Sequence, residues 1–106
     1  MRTMLLTIAA VVLLLPQLSF AAEHTVSQED KKFIPDTLTI KVGDTVTFVN
    51  NDKGTHNVYS RSKPGKFNTG SIKSGESADV TFDAPGKLKV KCAIHPKMKM
   101  TITVTE

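Results

Sequence analysis

The scarcity that constrains this chain most is cysteine: Cys92 is the single one in 106 residues. An internal disulfide needs two, and zinc or iron–sulfur centres usually take more thiolates than one, so neither a bridge nor such a centre is expected. Helical periodicity is also missing; from Thr25 onward no segment repeats at 3.6 residues for long enough to matter. Neither a basic arm nor basic residues interleaved with aromatics occurs, which removes the footprint of nucleic-acid binding. The longest apolar run, Met4 to Leu15, falls short of the roughly 20 residues of an ordinary transmembrane helix.

That run has another use. Arg2 precedes it, and Ser19, Ala21 and Ala22 follow, which is the pattern of a secretory signal cleaved after Ala21. The expected organisation is therefore a signal peptide over 1–21 and one domain over 22–106, exported to the periplasm and free of the membrane after cleavage. Removing 1–21 takes away one of the 14 Lys+Arg and none of the 10 Asp+Glu, leaving 85 residues with a net charge of +3. A chain this small has little stability to spare, and a bound metal is one common supplement. Export also exposes a lone thiol to oxidation unless it is buried or ligated.

The segment Val90-Lys91-Cys92-Ala93-Ile94-His95-Pro96-Lys97-Met98-Lys99-Met100 supplies a reason for that thiol. A thiolate, an imidazole and a thioether at Cys-x-x-His-x-x-Met spacing form a soft donor set. Thiolate and thioether favour Cu(I) and imidazole serves both copper states, so such a site can pass an electron.

Alternation of period two fills the rest of the chain. Leu38, Ile40 and Val42 alternate with polar neighbours, Gly43-Asp44 reverses the chain, and Val46, Phe48 and Asn50 alternate again, which predicts a hairpin. His56 to Ser60 reads as a short strand. Residues 61–75, with Pro64-Gly65, Gly70 and Ser74-Gly75, read as mostly loop anchored by Phe67 and Ile72. Ala78, Val80 and Phe82 form a further stripe, closed by Pro85-Gly86. In Lys87 to Cys92 the even positions are apolar and the odd ones lysine, so Cys92 shares the inward face of Leu88 and Val90. Met100 belongs to the stripe of Ile102 and Val104 and has a packing explanation; Met98 precedes it and is free to be a ligand. Of the remaining histidines, His56 shares the parity of Val58 and can face inward, whereas His24, near the new N-terminus, is expected to be a solvated surface residue.

With these residues the sequence resembles the cupredoxins, or type 1 blue copper proteins, and most closely the amicyanin, pseudoazurin and plastocyanin-like branch. The resemblance runs from Phe33-Ile34-Pro35 through Leu38-Thr39-Ile40, Gly43-Asp44-Thr45-Val46 and Phe48-Val49-Asn50 to His56-Asn57-Val58 and Cys92 to Met98. It implies an all-β Greek-key sandwich or barrel of seven or eight strands, and one copper ion per chain held by His56, Cys92, His95 and, axially, Met98. It also implies a hydrogen bond from the Asn57 backbone amide to the Cys92 sulfur. The function implied is a monomeric periplasmic carrier of single electrons for a redox partner protein, not an enzyme. The alternative is a copper-binding protein for resistance, storage or delivery, in which Met100 joins Met98 in holding Cu(I).

Lysines depart from the family's pattern. Lys91 stands where relatives often have an aromatic or His, and Lys97 where they have an apolar residue. Lys87, Lys89, Lys91, Lys97 and Lys99 serve either to protect a strand face from edge pairing or to dock an acidic partner. Lys31 and Lys32, before the expected hairpin, have no sequence reason to approach His95.

Overall fold

The computed structural model describes residues 20–106, so nearly all of the expected signal segment lies outside the described residues. The alternating stripes become strands: β1 (Glu23–Glu29), β2 (Lys32–Ile34), β3 (Thr37–Lys41), β4 (Thr45–Asn50), β5 (His56–Ser60), β6 (Phe67–Ile72), β7 (Ser77–Thr81), β8 (Gly86–Lys91) and β9 (Lys99–Thr105). They form two sheets, one ordered β2-β1-β4-β7 and the other β3-β9-β8-β5-β6. Pairing is parallel for β1 with β4 and for β3 with β9, and antiparallel elsewhere. No helix among the described residues is long and apolar enough to cross a membrane.

The inward stripes meet between the sheets. Val26, Val46 and Phe48 from one sheet pack with Ile40, Val58, Ile72, Leu88, Val90, Ile102 and Val104 from the other, all buried. Phenylalanines cross this core in sequence: Phe33 lies edge-on to Phe48, Phe48 stacks on Phe67 at 6.3 Å, and Phe67 meets Phe82 edge-on at 5.5 Å. Phe67, on the edge strand β6, thereby ties that edge to the chain after β7. Offset and edge-on aromatic pairs of this kind contribute beyond their buried area.

Three expectations change. Nine strands replace seven or eight, partly because Asp30 and Lys31 take left-handed backbone angles (φ 50° and 56°) and fold β2 back onto β1. Residues 67–72 form a strand rather than loop, although Phe67 and Ile72 do anchor to the core as expected. The predicted hairpin is not one. Gly43, at φ 92°, and the bond from the Asp44 amide to the Lys41 carbonyl (3.0 Å) turn the chain, but β3 and β4 leave the turn into opposite sheets. Alternation specifies which side of each strand is apolar; it does not say which sheet the strand joins.

Candidate metal centre

Pairing of Tyr59 with Lys91 in the antiparallel β5–β8 ladder sets the start of β5 beside the chain that follows β8. His56 opens β5, and the β8–β9 connection carries Cys92, His95 and Met98. Residues 36 to 42 positions from His56 in sequence thus reach the same end of the sandwich as His56.

Their donor atoms converge. Cys92 Sγ lies 3.8 Å from His56 Nδ1 and 4.0 Å from His95 Nδ1, and the two Nδ1 atoms are 3.0 Å apart. A triangle with those sides has a circumscribed radius of about 2.1 Å, against roughly 2.0–2.3 Å for imidazole nitrogen and thiolate sulfur on a first-row metal. The donor set therefore fits a metal ion of that size. Two imidazole lone pairs facing each other at 3.0 Å also repel unless a proton or a cation lies between them.

Burial grades across the three. His56 and Cys92 are 1% exposed, whereas His95 is half-buried and reaches the surface beside exposed Ala93, Ile94 and Pro96. Met98 is 1% exposed in the core cluster; its amide donates to the His95 carbonyl (2.9 Å) and its carbonyl accepts from the Cys92 amide (3.3 Å), which closes the loop. Met100, two residues further on and inside β9, pairs with Val90 and is also core.

His56 is held from behind. Its Nε2 is 2.7 Å from Asp52 Oδ2. An ionised carboxylate can only accept, so Nε2 carries the proton and Nδ1 offers its lone pair to the cluster. Partial burial acts to raise the Asp52 carboxyl, but hydrogen bonds from the Lys31 amide, His56 and the Asp30 amide outweigh it and hold the group below its usual range. Sequence reasoning missed Asp52. An acidic residue four before a histidine is informative on a helix, and here the intervening chain is a loop.

Other contacts differ from the expectations. Asn57 reaches the ligand loop through its side chain, whose Oδ1 accepts from the Ala93 amide at 2.7 Å; the resemblance implied a backbone bond to the sulfur instead. His24 lies outside the cluster and is partly exposed, as expected of a surface residue, but it is not unpartnered. It lies in β1 and pairs with Asp44 Oδ2 at 2.9 Å, because the parallel β1–β4 pairing brings the two strand beginnings together. Lys31, expected to lie away from His95, lines one open depression with Asp52, Lys53, His56 and His95, since the β1–β2 turn folds over the 51–54 loop. Of the lysines at issue, Lys87, Lys89, Lys97 and Lys99 are exposed and Lys91 is half-buried.

A two-sheet β-sandwich holding two imidazoles and a thiolate at one end, with a buried methionine on the same loop, is a cupredoxin-type copper protein. Comparison with known proteins gives the same class, and the chain belongs to the family of copper binding proteins of the plastocyanin/azurin type, whose model matches residues 20–105. Copper is the cofactor of that family. Amicyanin-alpha of Methylorubrum extorquens is 34% identical over 76 residues, 69% of this chain and 64% of the relative. Among solved structures, a purple cupredoxin from Nitrosopumilus maritimus matches with a TM-score of 0.69 at 28% identity, over 77% of this chain and 99% of that one. A copper-containing nitrite reductase from Thermus scotoductus matches at 0.74 and 36% identity, over 79% of this chain but 22% of its own. The chain thus spans less than two thirds of the amicyanin-alpha length and one portion of the reductase.

Proposed function

We propose that this protein carries single electrons between redox partners in the periplasm, with residues 1–21 as its export signal and 22–106 as its copper domain. His56, Cys92 and His95 would hold the ion, and Met98, buried on the same loop, would be the fourth ligand. Copper bound there supplies the Cu(I)/Cu(II) couple. What the chain supplies is a donor set whose positions depend on the sandwich and not on local sequence. Pro96 restricts the backbone of His95, and the Asn57–Ala93 bond ties the start of the loop to β5. Small rearrangement between oxidation states means a low barrier to transfer.

The observation that carries this reading is the gradient of burial, since His56 and Cys92 are enclosed while His95 alone of the three reaches the surface. Electrons would then enter and leave through the His95 edge. Four side-chain ligands would leave no coordination position for a substrate, which favours a carrier over an enzyme. Nitrite reduction belongs to the much longer reductase and is not carried over. The copper-handling alternative loses support from Met100, which is occupied as core opposite Val90.

For a partner we infer a redox protein with an acidic docking face, met by a monomer of this chain. Lys97 and Lys99 flank Met98, and Lys87, Lys89 and Lys91 continue the positive charge along β8, with Arg61 above the ring of Tyr59 on the neighbouring strand at 5.8 Å. The test of the central reading is the visible spectrum after Cu(II) is added to the purified protein, followed by voltammetry. An intense thiolate-to-copper band and a reversible one-electron wave are expected. A colourless adduct would sink the ligand assignment, and ready loss of copper to an acceptor without reversible cycling would favour the handling role.

A further inference from the structure

Copper ligation alone does not account for a polar network that centres on Asp52. Oδ2 receives His56 Nε2 at 2.7 Å and the Lys31 amide at 3.0 Å, while Oδ1 receives the Asp30 amide at 2.7 Å. The amides come from two non-glycine residues with left-handed backbone angles, which ordinary side chains adopt only when something compensates. Asp52 is itself held in place: buried Asn50 accepts the Asp52 amide on Oδ1 (2.9 Å) and donates Nδ2 to the carbonyls of Gly54 and Ile72, both at 2.8 Å. Thus the 50–55 loop is braced from within the core, and its carboxylate connects the β1–β2 turn to one imidazole of the cluster.

We propose that Asp52 is a positioning residue of the metal centre, selecting the His56 tautomer and ring orientation that turn Nδ1 toward Cys92 and His95 and making that nitrogen a stronger donor. The inference rests on the copper reading above and goes one step behind it. A carboxylate on the far nitrogen of a ligating imidazole raises its basicity. A more basic nitrogen favours Cu(II) over Cu(I), so Asp52 lowers the reduction potential. The bracing also explains why the donor is aimed before any ion arrives, since three separate groups must move together to let the ring rotate.

The experiment uses the mature chain with Asp52→Asn, Asp52→Glu and a charge-balanced Asp30→Gly/Lys31→Gly pair, the last relieving the left-handed turn while leaving both amides in place. Asp52→Asn is expected to keep the thiolate-to-copper band while losing Cu(II) affinity relative to Cu(I) by roughly 10- to 100-fold, the usual effect of removing such a partner. Each tenfold is about 59 mV for a one-electron couple, and the shift is upward. Asp52→Glu should recover part of it. Adding the glycine pair to Asp52→Asn should restore thermal stability but not the potential; recovery of the potential as well would overturn the proposal in favour of a merely structural role. In the metal-free protein, ring ¹⁵N shifts should show His56 with Nε2 protonated, and a tautomer mixture in Asp52→Asn. An unchanged potential together with an unchanged tautomer would also overturn it. If the wild-type protein instead lacks the charge-transfer band, the copper ligand assignment fails, and the ring shifts still decide the role of Asp52.

Discussion

Met100 lies directly opposite Val90 in the β8–β9 ladder, and both side chains are buried in the core, two residues along the chain from Met98. The two methionines therefore separate by role. Met100→Ala should destabilise the fold by about 2–5 kcal/mol, as a truncation in a packed interior, with a small spectral effect. Met98→Gln should move the potential downward, because a harder oxygen donor favours Cu(II), and should also cost some stability, since Met98 is itself 1% exposed in the core; the shift in potential is what sets it apart. Urea unfolding and voltammetry on both variants check the pair, and an exchange of the two phenotypes would reassign the axial ligand.

Cys92→Ala should abolish the visible charge-transfer band, since Cys92 is the sole thiolate in the chain. His24→Ala should keep the band unchanged, as its partner is Asp44 and not the cluster, and should lower the thermal midpoint instead. Absorption spectra of copper-loaded variants, paired with melting curves, test both halves.

Asp44 predicts a specific acid response. Its carboxylate accepts the Lys41 amide, His24 and the Ala22 amide, and these bonds hold its pKa at about 2, below the usual 3.8. A lowered folded-state pKa stabilises the native form at pH above the unfolded value, and that contribution disappears as pH falls through the folded value. The stability difference between wild type and Asp44→Asn should thus be full above pH 4 and shrink between 4 and 2. Urea midpoints measured across pH 2–6 follow it, and a constant difference over that range would contradict the assignment.

Docking through the lysines should be sensitive to position. Lys97→Glu is expected to slow electron exchange with the physiological partner and to leave the copper spectrum intact. Rising salt should slow the wild type as well, since the Debye length falls from about 30 Å at 0.01 M to about 10 Å at 0.1 M. Lys31 and Lys32 cannot be the control, because Lys31 lines the depression that contains His95. Lys41 can: it ends β3 opposite Thr105, at the far end of β9 from the ligand loop. Equal slowing by Lys41→Glu and Lys97→Glu would reduce the effect to net charge.

Local chemistry was enough to read much of this protein. The parity of Leu88, Val90 and Cys92 aimed the thiol inward, the alternation of Met100 with Ile102 and Val104 marked it as core, and Cys-x-x-His-x-x-Met spacing set three donors on one short loop. These are properties of neighbouring residues in an extended chain, where side chains must alternate and nothing distant intervenes. Only the tertiary structure decided that β3 and β4 part at Gly43 into opposite sheets, that the parallel β1–β4 pairing carries His24 to Asp44, and that the β1–β2 turn folds Lys31 over the metal end. It also decided that Asp52 stands behind His56. Each of those contacts joins segments whose separation is set by how sheets pair and stack, and period-two alternation is indifferent to that choice: it assigns a face to every strand and a neighbour to none.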